Sequence, residues 1–145
     1  MKAVLFALSL SLRIIGVHGD LIGRAQSIAV TGILICDEEP ARNVKVKLYD
    51  DDAGLDLDDF MAEVRTDEEG RFAITGTSSE IMAIDPKLNI YHDCNDDWIP
   101  CQRKLSVLVP KEYITGGTKA RQSYDIGTIQ LSGSNPGEER DCFNR

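Results

Sequence analysis

The chain has 145 residues, with 16 basic against 24 acidic side chains, a formal charge of −8 and 42% hydrophobic residues. That acidity excludes a general polyanion binder, because phosphate neutralisation needs clustered Lys and Arg. The length fits one domain with a single core.

The N-terminus carries Lys2, then an apolar stretch from Ala3 to Leu12 broken by Ser9 and Ser11. After Arg13 it resumes as Ile14, Ile15, Gly16 and Val17. A bilayer needs about 20 apolar residues, so this stretch is too short and too interrupted to span one. The pattern is that of a secretory signal peptide over residues 1–19, with Val17 and Gly19 as the cleavage-site residues. Residues 20–145 are then the mature domain. Losing Lys2 and Arg13 leaves 14 basic against 24 acidic side chains, a formal charge of −10. No later segment approaches membrane-spanning length, so the expectation is a released, extracellular chain without a transmembrane anchor and without nucleic acid as partner.

Short alternating segments follow, separated by turn residues, which is the pattern of an antiparallel all-β domain. Gln26 to Cys36 places Ile28, Val30, Leu34 and Cys36 on one parity, with Gly32 marking a bulge or a close backbone approach. Asn43 to Asp50 has Val44, Val46 and Leu48 facing in and Lys45, Lys47 and Tyr49 facing out. An acidic connection runs from Asp50 to Asp59. Ala62, Val64 and Thr66 alternate, and the turn Asp67–Gly70 leads to Phe72 and Ile74, which predicts a β-hairpin. Ser78 to Ile84 is the one helix candidate. Lys87 to Cys94, Gln102 to Val109 and Ser123 to Leu131 complete a count of about seven strands, with Gly127 as a further bulge candidate. The tail from Ser132 is turn-rich and needs a tether. Two packed antiparallel sheets, a β-sandwich, follow.

Four cysteines survive cleavage, and an even number in a secreted chain reads as two disulfides with three connectivities. Cys94 and Cys101 flank a six-residue insert, which suits a bridge across a hairpin end. Cys36 with Cys142 then ties the first strand to the tail. Zinc is disfavoured, because the gap is long for a knuckle and His92 is the only histidine of the mature chain.

The runs Gly32-Ile33-Leu34-Ile35-Cys36, Pro40 to Leu48, Thr66 to Phe72, Leu88 to Cys94, Cys101 to Lys104 and Tyr124 to Ile129 together resemble the nematode transthyretin-like family. The resemblance extends from Gly32 to Cys142. It implies a secreted transthyretin-like β-sandwich with an extracellular binding or signalling role. For some members it implies bridging of phosphatidylserine on dying cells to a phagocyte receptor. A related branch of the fold hydrolyses 5-hydroxyisourate with more than one histidine, an arginine and a C-terminal Tyr-Arg-Gly-Ser. Here His18 leaves with the signal, His92 stands alone and the tail ends Asp141 to Arg145. No nucleophile motif is present. The expectation is therefore not an enzyme, and no cofactor. The hormone channel of transthyretin uses a lysine in the first strand, and Gln26 to Cys36 contains none.

The acidic connection does not match an EF-hand, and a solvated loop is its default reading. Trp98, the only tryptophan, has two readings. It either folds back as a lid on the sandwich, the default, or stands out as a binding hot spot with Ile99 on a cross-linked loop. Arg103 and Lys104 follow as a candidate basic patch beside it. The functional expectation is an extracellular binding or bridging protein whose partner is a receptor or an exposed phospholipid. The alternative is a carrier of a small apolar ligand, in a cavity between the sheets or at an oligomer interface.

Overall fold

A computed structural model describes residues 23–51, 58–96 and 98–143. The signal peptide with its cleavage site and the middle of the acidic connection lie outside them. Among the described residues the chain runs through β1 (Arg24–Cys36), β2 (Glu39–Pro40), β3 (Lys45–Asp50), β4 (Asp59–Arg65), β5 (Arg71–Glu80), β6 (Pro86–His92), β7 (Gln102–Leu108), β8 (Thr115–Gly116), β9 (Ser123–Gln130) and β10 (Glu139–Asp141). Seven of these are six residues or longer, and they are the seven that alternation marks out. The fold is an all-β sandwich.

One sheet is built on β1, which pairs with β5 and then β2 along one edge and with β8 and β9 along the other. The second has the order β10-β7-β6-β3-β4. The inner parities fit the two faces together: Ile28, Val30, Leu34 and Ile74 of the first sheet meet Val46, Leu48, Leu88 and Ile90 of the second, and all are fully buried. The pairings are antiparallel apart from β1 with β9, which is parallel from Ala29 opposite Ser123 to Ile35 opposite Gln130. Between Thr31 and Ile33 two residues of β9, Ile126 and Gly127, stand against Gly32 alone. Both glycines are needed there. Gly127 has φ +73°, and a Cβ on Gly32 would meet Ile126 at 2.5 Å and Phe72 at 2.8 Å.

Three expectations change. The turn Asp67–Gly70 does not close a hairpin within one sheet. β4 pairs with β3 and β5 pairs with β1, so the turn hands the chain from one sheet to the other. Gly70 is at φ +74°, and its carbonyl accepts the Leu34 N–H at 2.8 Å, which fastens the corner to β1. Ser78 to Ile84 is not helical. Ser78–Glu80 extend β5, opposite Gln26–Arg24 of β1, because a ten-residue partner for a thirteen-residue strand satisfies more backbone groups than one turn of helix.

The disulfides are Cys36–Cys94 and Cys101–Cys142, not Cys94–Cys101 with Cys36–Cys142. The reason is side-chain direction. Cys94 continues the inward parity of Leu88, Ile90 and His92, so it points across the sandwich, where Cys36 continues the inward parity of Val30 and Leu34. Their Cα atoms are 5.7 Å apart. The tail forms β10 in the register Glu139–Lys104, Arg140–Arg103 and Asp141–Gln102, and the next pair in that register is Cys142 with Cys101. The bridges close 58- and 41-residue separations. Loop entropy for such lengths is about 4 kcal/mol each in the chain model.

Non-reducing peptide mapping should therefore yield Cys36–Cys94 and Cys101–Cys142 linked peptides. The double substitution Cys101→Ser with Cys142→Ser should lower stability by about 2–4 kcal/mol, measured by denaturant unfolding, while Cys36–Cys94 stays intact.

Candidate functional site

Both bridges lie at one end of the sandwich, where β1, β4, β6 and β9 finish and β3 and β7 begin. The β6–β7 connection is a tight series of turns. Asn95 adopts φ +54°, Asp96 N–H donates to the Asp93 carbonyl at 3.1 Å, and Ile99 N–H donates to the Asp96 carbonyl at 3.1 Å. Asn95 also donates its side-chain amide to Asp37 of the β1–β2 turn at 3.1 Å. Trp98 is 97% exposed on this connection, so it is not a lid on the core, and Ile99 beside it is exposed as well. The turns keep it out: Cys94 and Asp96 are the inward residues, and Leu131 already fills the core below.

The second bridge adds a residue that sequence reasoning missed. Phe143 follows Cys142 and is 96% exposed. Its N–H is held by the Asp141 carboxylate at 2.8 Å. Trp98 and Ile99 precede Cys101 by three and two residues, so one covalent staple holds all three apolar side chains at the same tip. The signal was available, since an aromatic beside a half-cystine cannot drift away. It needed the Cys101–Cys142 pairing to be read.

Arg103 does not join a basic surface patch. It continues the inward parity of Leu105, is 7% exposed, and spends its guanidinium inside. It donates to the Cys94 carbonyl at 2.8 Å, to the Gly133 carbonyl, and in two-pronged fashion to the Glu138 carboxylate. Lys104 lies on the outer face, where its ammonium is 2.9 Å from Glu139 of β10. Arg140 clamps the Asp96 carboxylate with two nitrogens and reaches the Cys101 carbonyl at 3.0 Å. The tail is thus sewn to the β6–β7 connection by ion pairs as well as by the bridge. Arg103 holds the Glu138 carboxyl below its ordinary value, and Arg140 does the same for Asp96.

His92 is buried opposite Arg103. Its Nδ1 accepts the Cys94 N–H at 3.1 Å, which places the proton of the neutral ring on Nε2. Burial, reinforced by the Arg103 charge, pushes its pKa down. The ring is packed where its charged form is disfavoured, an arrangement for structure. At the other end Asp51 and Asp58 of the acidic connection lie 3.3 and 2.7 Å from the Lys87 ammonium. Asp50 accepts the Asp85 N–H at 2.7 Å. The Lys87 ammonium thus offsets the charge of Asp51 and Asp58. The described residues contain no group of three or more His, Cys, Asp or Glu side chains arranged to hold a metal ion.

The model of the transthyretin-like family matches residues 31–110. The chain belongs to the transthyretin-like family. Transthyretin-like protein 5 of Caenorhabditis elegans is 56% identical over 124 residues, which cover 86% of this chain and 89% of that one. Transthyretin-like protein 33 of the same organism is 50% identical over 120 residues, 83% and 84% of the two chains. Transthyretin-like protein 2 is 46% identical over 130 residues, 86% and 88%.

Two expectations follow for this transthyretin-like chain. Arg103→Ala removes one partner of a buried ion pair, and such a change typically costs about 3–5 kcal/mol. Trp98→Ala should move stability by no more than about 0.5 kcal/mol, as for an exposed side chain. Paired thermal melts check both. The second concerns pH. His92 has a folded pKa below its ordinary 6.5, so its contribution to stability is complete above that value and is lost as pH falls below it. Glu138 and Asp96 act in the same direction but only below the ordinary carboxylate range. Unfolding free energy should therefore begin to fall as the pH drops below about 6.5, and His92→Gln should flatten that part of the profile while leaving the steeper loss at lower pH.

Proposed function

We propose that this transthyretin-like chain is a secreted, non-enzymatic binding protein that bridges extracellular partners, using the Trp98, Ile99 and Phe143 tip as a principal contact. The observation that carries the reading is the near-complete exposure of two aromatic side chains on a doubly tethered frame. Aromatic anchors supply most of the energy in interfaces, and a frame already ordered loses little entropy on binding. An exposed Trp and Phe bring no benefit to the free protein and stay where a partner will cover them.

The distribution of apolar surface supports bridging rather than one-sided binding. At the opposite end of the sandwich the β5–β6 connection presents Ile81 and Met82, both exposed, and Leu108 and Phe60 are exposed on the nearby outer face. Two apolar ends on a rigid body about one strand long can engage two partners at once. Secretion is supported by the signal-type N-terminus and by two disulfides, which persist in oxidising compartments. A cell-surface receptor and an exposed phospholipid, phosphatidylserine in particular, are the partners suggested by the family resemblance. The carrier alternative has less support, since the inner faces of the two sheets are filled by Ile28, Leu34, Leu48, Ile74, Leu88 and Ile90.

The test is binding of the mature protein to vesicles with and without phosphatidylserine, and to intact cells, for the wild type, Trp98→Ala and Phe143→Ala. Loss of a hot-spot aromatic costs about 2 kcal/mol or more, roughly thirtyfold in affinity. The expected result is that loss with an unchanged melting temperature. Unchanged binding by both variants would remove the tip from the account.

A further inference from the structure

Lys45 opens β3 on the outer parity, between Arg65 of β4 and Tyr91 of β6. It is only 7% exposed. Lys47, Lys87, Lys104 and Lys111 each hold a carboxylate within 4 Å. The Lys45 side chain has no ion pair and no hydrogen bond with any described residue. Arg65, directly opposite, donates one N–H to the Asn43 carbonyl at 2.9 Å and likewise has no carboxylate partner among the described residues. Like charges facing each other across two strands are destabilising. In a chain with 24 acidic side chains a compensating carboxylate would be easy to supply. Among the described residues none forms an ion pair with either cation.

Both cations line a cleft of about 610 Å³ that opens at the cystine end and is walled by Tyr91, Asn43 and Gln102. That volume is typical of small-molecule sites. Burial raises the Tyr91 pKa, so its phenol stays neutral beside the cations. Two carboxylates also line the cleft. Asp93 accepts from Gln102 at 3.0 Å, and Asp141 accepts the Phe143 N–H at 2.8 Å. Their charge favours a ligand with one acid group over a polyanion.

We propose that this cleft binds the acid group of a small organic anion, a carboxylate or a phosphate monoester, between Lys45 and Arg65, with the Tyr91 ring as wall. The site is separate from the apolar tip and does not depend on the tip being a contact surface. The ligand supplies the negative charge that the fold withholds, and its organic body occupies the rest of the cleft.

The experiment is titration of the ¹⁵N-labelled mature protein with benzoate and, separately, with phenyl phosphate, followed by amide shifts. The variants are Lys45→Met, Arg65→Gln and, as control, Lys104→Met. The expected result is saturable shifts around residues 43–46, 64–66 and 91–93 for at least one probe, which also identifies the preferred acid group. Lys45→Met and Arg65→Gln should each weaken binding at least tenfold, and Lys104→Met should leave it unchanged. Without probe, Lys45→Met should keep or raise the melting temperature, because Met fills the same space without a charge facing Arg65. A lower melting temperature would assign Lys45 to the fold and overturn the proposal. So would the absence of saturable shifts with both probes, or equal affinity in wild type and Arg65→Gln. Arg65 is exposed, so its variant tests binding without disturbing the core.

Discussion

A guanidinium taken out of water must find acceptors on every side, and Arg103 finds them on two stretches of chain far apart in sequence. Its partners are the carbonyl at the start of the β6–β7 connection, a carbonyl in the tail and the Glu138 carboxylate. That requirement brings residues 133–138 back against the sandwich. Once they are there, β10 can add to β7, Cys142 arrives opposite Cys101, and Arg140 reaches Asp96. The order of the cystine end rests on this one buried cation more than on any apolar contact in the tail, which offers few.

The same closure divides labour at that end. The polar groups of the tail and connection are consumed in holding one another. What remains at that end are exposed apolar side chains, Trp98, Ile99 and Phe143, and two cations, Lys45 and Arg65, without an ion pair among the described residues. An exposed aromatic tip and an unneutralised cation pair are both unfavourable in a free protein. Each occurs within a few residues of a covalent or ionic clamp, which is where a fold has stability to spare. The cleft and the tip share the Cys101–Cys142 bridge as a wall, yet they present different chemistry, one to an acid group and one to an apolar surface.

Much of the fold was legible, because half-buried strands write their burial in alternate residues. Val44, Val46 and Leu48 against Lys45, Lys47 and Tyr49 is readable without any partner. Which strands pair is another matter. The Asp67–Gly70 turn has hairpin residues whether it joins two strands of one sheet or crosses between sheets, so β4 and β5 were misjoined. The parallel partner of β1 lies some ninety residues away and leaves no local mark beyond Gly127. The disulfides failed for a more instructive reason. Spacing favoured Cys94 with Cys101, while parity already set Cys36 and Cys94 facing each other from inside the two sheets. Side-chain direction decides which sulfurs can meet, and proximity in sequence does not. Arg103 looked like a surface residue because its partners, Glu138 and Gly133, are some thirty residues on, in a segment without strand pattern. Phe143 went unnoticed for the same cause.

Trp98 is the only tryptophan in the chain, so its fluorescence reports the tip alone. Acrylamide quenching of the native protein, free and then bound to a phosphatidylserine vesicle or a cell-surface receptor, tests the central claim directly. The account predicts quenching in the free protein close to that of the unfolded chain, and strong protection in the complex. An indole already shielded in the free protein, or one equally accessible before and after binding, would contradict it.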